Sequence, residues 1–409
     1  MTSIIPRPMY TERVEPFIGK SIIKVLTGQR RIGKSYILRQ LMEEIGRKDP
    51  EAQIISINKE REEFRDIKTD RDLFEYLRPL LSRPGRHYLF IDEVQEIADF
   101  QFCLRSLLAE EKCDIYCTGS NAQMLSGELV THLAGRSISF DVHSLSYQEF
   151  LQFHGLGSGQ ESLRKYLTFG GMPYLSHIGL EADVPYEYLN SVYSTILLKD
   201  TVAREKIRNV RFLEDLVMYL VDNIGNLFSA TNISKYLKAQ RIDMSPQVTL
   251  NYLRALCNAY LIHRVPRADV GGMKIFESSM KYYFEDLGIS HAIRGFEYRR
   301  DIHKVMENAV YLNLLQRGYK VYVGQLKNQE IDFVAEKSGE KIYVQVSLSV
   351  ADEKTAAREF GNLQEIRDNY PKYVVTLNDL IIGENQNGIR HVNLEEFLLS
   401  SELTLRSGQ

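Results

Sequence analysis

The chain has 409 residues, which at roughly 150 per domain predicts two to four domains with separate cores and excludes a peptide hormone or a disulfide miniprotein. Hydrophobic residues make up 44% and charged residues 26%, with 26 glycines and 11 prolines, which excludes collagen, coiled coil and wholesale disorder. The 51 basic and 54 acidic groups leave a net charge of −3, so attraction to nucleic acid has to come from a local patch.

No apolar run approaches the roughly 18 residues of a membrane helix; even Val217 to Val221 is flanked by Asp215 and Asp222. Met1 to Tyr10 holds two prolines and no signal-peptide core, so cytoplasmic residence and no membrane partner are expected. Of the four cysteines, Cys103, Cys113, Cys117 and Cys257, the middle pair falls in an apolar stretch that reads as one buried strand. Reduced core thiols are expected rather than zinc or disulfides.

Strand-like and helix-like patterns alternate over the first 142 residues. Strands are predicted at Ile22 to Leu26, Gln53 to Ile57, His87 to Ile91, Asp114 to Thr118 and Ser137 to Val142, with helices from Ser35 and from about Thr69 and Phe100. Such alternation marks a parallel sheet covered on both faces. From Ser144 to about Asn209 the pattern turns helical and aromatic, interrupted by Gly170-Gly171-Met172-Pro173, and predicts a helical subdomain. Three helices follow, from Arg211, at Asn232 to Lys238, and from Ser245-Pro246, a Ser N-cap with Pro at the first helical position. Leu261 to Val265 and Lys274 to Phe276 then read as a hairpin, which completes the outline of a winged helix-turn-helix. Beyond about Gly295, a helix at Glu307 to Gln316 and strands at Lys320 to Gly324, Glu330 to Ala335, Lys341 to Leu348 and Lys372 to Leu377 predict a small α/β domain.

Gly28-Gln29-Arg30-Arg31-Ile32-Gly33-Lys34-Ser35 matches G-x-x-x-x-G-K-[ST] and stands between a predicted strand and a predicted helix, as that phosphate loop requires. Backbone amides from Gly28 to Tyr36 and the helix N-terminus would cradle anionic oxygens, with Lys34 on the β- and γ-phosphates. Ser35 would ligate Mg²⁺ together with Asp92, at the end of the strand His87 to Ile91, while Glu93 orients the attacking water. The next strand ends in Thr118-Gly119-Ser120-Asn121, and Thr118, Ser120 or Asn121 is a candidate γ-phosphate sensor.

Those motifs, together with Leu133-Ala134-Gly135-Arg136, Leu145 to Phe150 and Gly170 to Pro173, resemble the AAA+ ATPases of a large prokaryotic family. In that family the ATPase is followed by a winged helix and a C-terminal domain of unknown function related to the PD-(D/E)XK nuclease fold. The resemblance implies a sheet order of 5-1-4-3-2. It divides the chain into an AAA+ P-loop core over 1–142, a helical lid over 143–209, a winged helix-turn-helix over 210–294 and a restriction-endonuclease-like domain over 295–409. It also implies an arginine that completes the transition-state charge, from a neighbouring subunit or the lid; Arg136 and Arg204 are the candidates.

Between Ser229 and Lys274 seven basic residues face two acidic ones, a local +5 that leaves −8 over the rest of the chain. Such asymmetry suits DNA, with Gln247, Asn251 and Arg254 as outward readers on the third helix and Lys274 on a phosphate. In the C-terminal domain Glu307, Asp332 and Gln345 follow the acid-acid-(E/Q)xK order, but Gln345 is a neutral amide and the lysine position is Ser347. Both departures weaken metal binding, so a degenerate site without cleavage is expected unless Lys327 or Lys341 takes the lysine role. The expected protein is therefore an ATP- and Mg²⁺-dependent ATPase whose nucleotide state controls the winged helix and a nuclease-like platform. Two readings stay open beside it: an ATP-gated DNA nuclease, and a slow nucleotide sensor or scaffold. A homo-oligomer or a protein partner fits any of them.

Overall fold

A computed structural model describes residues 4–122, 133, 135–181, 183–242, 244–272, 274–327, 329–377, 385–386, 388–400 and 403. Ala134 lies outside them, as does Asp243, one of the two acidic residues counted between Ser229 and Lys274. The chain divides into two units, Met1–His143 with Asn258–Tyr260, and Ser144–Cys257 with Leu261–Gln409.

In the first unit, helix α1 (Pro8–Val14) precedes β1 (Ile23–Thr27), whose five residues are all buried. Then come α2 (Lys34–Lys48), β2 (Gln53–Asn58), α3 (Asp70–Leu80), β3 (His87–Asp92), α4 (Phe100–Ala109), β4 (Asp114–Gly119) and β5 (Ser137–Asp141). The strands lie in the order β2-β3-β4-β1-β5, all parallel, which is the 5-1-4-3-2 order expected. Ile23, Val25, Ile55, Ile57, Leu89, Ile91, Ile115 and Cys117 alternate along their strands onto one face and pack with Leu73 and Leu77 of α3 and Leu104 and Leu107 of α4. A Thr69–Asp72 capping box starts α3. Because every strand points the same way, the turns after β1, β3 and β4 gather at one edge of the sheet, where ligands of such sheets bind.

The second unit starts with helices α5 (Tyr147–His154), α6 (Gln160–Phe169), α7 (Leu175–Ile178) and α8 (Val184–Thr195), the last continued by π-helical turns over Ile196–Ala203. The three expected helices follow as α9 (Val210–Asp222), α10 (Ala230–Ala239) and α11 (Pro246–Asn258). The hairpin strands β6 (Ile262–Asp269) and β7 (Ile275–Phe284) are much longer than the pattern predicted, because an irregular register around Ser279, at φ +63°, hides their alternation.

The hairpin is not a free-standing wing. After α12 (Leu287–Arg294) and α13 (Tyr298–Gln316) come β8 (Lys320–Leu326), β9 (Gln329–Lys337) and β10 (Glu340–Val346). Helix α14 (Glu353–Gln364), β11 (Lys372–Thr376), β12 (Asn385–Gln386), β13 (Ile389–Asn393) and α15 (Leu394–Leu399) complete the unit. Strand β6 pairs in parallel with β8 from Arg267↔Val323 to Asp269↔Gln325, so the hairpin ends an eight-stranded sheet ordered β12-β13-β11-β10-β9-β8-β6-β7. A boundary between 294 and 295 therefore cuts through one sheet; pairing satisfies the backbone edge that a free wing would expose. Among the described residues no helix is long and apolar enough to cross a membrane.

Candidate nucleotide-binding site

The loop after β1 is shaped by its glycines. Gly28 has φ +144°, and a Cβ there would lie 2.2 Å from the Val142 carbonyl oxygen. Gly33, at φ +95°, is the left-handed N-cap of α2. Between them Ile32 is fully buried, whereas Arg31 is exposed at φ +69°. Lys34 opens α2 and is buried; its ammonium donates to the carbonyls of Gly28 (3.0 Å) and Gln29 (2.8 Å). Gln29 is buried, as is Arg30, whose guanidinium lies 3.7 Å from the Glu60 carboxylate. Tyr36 is exposed on α2, with the Arg39 guanidinium 5.1 Å from its ring centre.

Arg7, which no motif signals, braces this loop. Its buried guanidinium donates to the carbonyls of Ile32 (2.8 Å) and His143 (3.0 Å).

The two acids end β3. Asp92 accepts from Asn58 Nδ2 (3.0 Å) and from the Thr118 hydroxyl (2.5 Å), and Thr118 in turn accepts the Glu93 N–H (2.9 Å). Glu93 is held at φ +57°, a backbone that costs a non-glycine residue energy and re-aims its side chain. Its carboxylate accepts from Ser120 Oγ (3.1 Å) and Gln95 Nε2, and stands 4.0 Å from Lys34 Nζ. Burial pushes the Glu93 carboxyl up, but Lys34 and Arg30, with the Gln95 and Ser120 hydrogen bonds, outweigh it and hold the group below its ordinary value. Thr118 and Ser120, read as sensors, thus have hydroxyls engaged with the two acids, while Asn121 is buried beside them in sequence.

Ser35 and Asp92 line one cavity of about 80 Å³, together with Leu38, Ser56, Asn58 and Phe90. Serine and aspartate lining one cavity carry the hard oxygen donors that Mg²⁺ takes, so these residue types fit the implied metal.

The expected DNA readers Gln247, Asn251 and Arg254 are all exposed on α11, and Gln247 Nε2 donates to Asn251 Oδ1 at 3.4 Å. Thr249, Tyr252, Leu253 and Leu256 of the same helix are buried, and Val248 is half-buried. Lys274 is exposed in the turn of the β6–β7 hairpin.

Of the residues expected to form a degenerate nuclease site, Glu307 of α13 and Asp332 of β9 do converge, joined by Glu330. Neither Lys327 nor Lys341 joins them: Lys327 pairs with Glu365 and Lys341 with Glu336. The cation present is Lys281 of β7, which sequence reasoning missed because it lies on the far strand of the hairpin. Its ammonium is 2.7 Å from Glu307, 2.7 Å from Glu330 and 3.4 Å from Asp332. Gln345 is buried, accepting the Asp332 N–H (2.7 Å) and donating to Glu359 (2.7 Å), while the Ser347 hydroxyl donates to the Ser349 carbonyl. Burial pushes the Glu307 carboxyl up to about 7 against the pull of Lys281, and the surrounding carboxylates raise the Lys281 ammonium despite its burial.

Residues 20–151 match an AAA domain, 160–300 a domain of unknown function (DUF8612) and 303–397 another (DUF4143). An uncharacterized protein of Haemophilus influenzae is 32% identical over 385 residues, covering 91% of this chain and 94% of its own. The chain belongs to the family of that protein. A Methanocaldococcus jannaschii relative, also uncharacterized, is 28% identical over 87% of this chain and 82% of its own. The Walker-type ATPase PABY2304 of Pyrococcus abyssi is 14% identical and covers 71% of this chain and 96% of its own, with a TM-score of 0.48.

Within the first unit of this family member, candidate Arg136 starts away from the phosphate loop. Arg136 is exposed and precedes β5, and its carbonyl accepts the N–H of Ile23, the first residue of β1 (2.8 Å). The phosphate loop leaves the other end of β1, roughly 13 Å away at about 3.3 Å per strand residue. The backbone of Arg136 therefore lies at the end of β1 opposite the phosphate loop. In the second unit Arg204 lies 3.8 Å from the buried Asp200.

Proposed function

We propose that the protein is a Mg²⁺-dependent ATPase that hydrolyses ATP to ADP and phosphate at the loop after β1. The observation that carries this reading is the convergence of Lys34, Ser35, Asp92 and Glu93 at one sheet edge, inside the segment that matches an AAA domain. The loop amides and Lys34 bind and neutralise phosphate oxygens. Ser35 and Asp92 would hold Mg²⁺, which supplies Lewis-acid neutralisation of the phosphoryl charge when bound. Glu93, kept ionised by Lys34 and Arg30, accepts a hydrogen bond from the attacking water and orients it. The nucleotide state then governs the helices and the nuclease-like platform of the second unit.

Lys34→Ala is expected to lose heat of ATP binding in calorimetry. Glu93→Gln is expected to bind within about threefold of the parent while turnover falls by roughly a hundredfold or more. Normal turnover in Glu93→Gln would remove that assignment, and no heat from the parent at millimolar ATP would remove the whole reading.

The exposed face of α11 supports DNA contact as a second part of the function. Arg254→Ala is expected to weaken binding to duplex DNA in a gel-shift titration and to lower its salt slope by about 1 if it meets a phosphate. Equal binding by both proteins at every salt concentration would discard Arg254 as a contact.

A further inference from the structure

The Glu307, Glu330 and Asp332 carboxylates share one side-chain cation, Lys281, which is only 2% exposed. A buried charge survives only when it is paired, and an ammonium has three donors and no acceptor. Here three carboxylates, from α13 and β9, meet those donors. Several neighbouring polar groups are already bonded. Asp332 Oδ2 accepts the Val346 N–H (2.9 Å), the Gln345 amide is spent on the Asp332 N–H and on Glu359, and Tyr283 donates to Glu307 (2.5 Å). The second Glu307 oxygen lies against Gly225, where a Cβ would come within 2.7 Å of it.

We infer that Lys281 is a built-in counter-cation that stands in the place of a divalent metal, so that this carboxylate pocket is closed to Mg²⁺ and Mn²⁺. A divalent ion needs oxygens at about 2.1 Å, drawn in around itself. The ammonium holds the same oxygens at 2.7 to 3.4 Å and adds a like charge beside any ion that enters. The same contacts fasten β7 to α13 and β9, which gives the lysine a structural role that a freely exchanging metal would not fill.

The test is a Mn²⁺ titration of the full chain without nucleotide, reading free Mn²⁺ by electron paramagnetic resonance. The parent and Asp332→Asn should take up the same amount. Lys281→Met should gain one equivalent at least about tenfold tighter than anything the parent binds, and Lys281→Met with Asp332→Asn should lose it. Uptake by the parent that Asp332→Asn abolishes would overturn the inference, as would a folded Lys281→Met that binds no more than the parent. Should Lys281→Met fail to fold, the thermal midpoint of the parent with Mn²⁺ or with chelator decides: no shift supports the inference, and a shift that Asp332→Asn removes refutes it.

Discussion

The Thr118 hydroxyl stands between the two acids of the nucleotide site, donating to Asp92 at 2.5 Å and accepting the Glu93 N–H at 2.9 Å. One side chain on β4 thereby sets both the carboxylate proposed for the metal and the backbone that aims the proposed water-orienting group. Thr118→Val keeps the shape and removes both bonds, leaving a buried N–H and a carboxylate oxygen unmet. The expected stability loss is about 1–3 kcal/mol. Turnover should fall about tenfold or more, with KM for ATP within about threefold. Steady-state ATPase rates beside urea unfolding check this, and unchanged turnover would show that Thr118 does not position the acids.

The place of Arg136, a strand's length from its own phosphate loop, makes a sharp kinetic expectation. If this arginine completes the charge of a neighbouring copy, Arg136→Ala alone loses turnover by about a hundredfold or more. Mixing it with Lys34→Ala, inactive for a different reason, restores part of the rate, because one copy brings the loop and the other the arginine. A mixture no faster than its two components argues against a shared site.

Asp286 adds a pH dependence in the second unit. It caps α12, accepting the N–H groups of Gly171 (2.7 Å) and Ile289 (3.0 Å), and burial raises its carboxyl from 3.8 to about 7. Between those values the folded chain holds a proton that the unfolded chain has released, so stability falls as pH rises from about 4 to about 7 and then levels. Asp286→Asn cannot titrate, and its urea midpoint should fall less than the parent's across that window. Parallel pH profiles for the two proteins would contradict the shift.

The phosphate loop, the Asp92-Glu93 pair and the five strands of the first sheet were legible in the residues because each depends on near neighbours: glycines in one turn, alternating apolar side chains in one strand. The three helices α9 to α11 were legible for the same reason, through their periodic apolar faces and caps. What stayed hidden needed distant segments to meet. Arg7 lies 25 residues from Ile32 and 136 from His143, yet it braces the loop between them. Lys281 finds its three acids only because β7, α13 and β9 come together, and no local spacing records that encounter. The pairing of β6 with β8 likewise turned an expected wing into a sheet edge, since an unmet backbone edge takes whatever strand the fold places beside it. Sequence order sets which groups a turn or helix can carry; the packing of remote elements sets which charges meet, because burial makes an unpaired one too costly to keep.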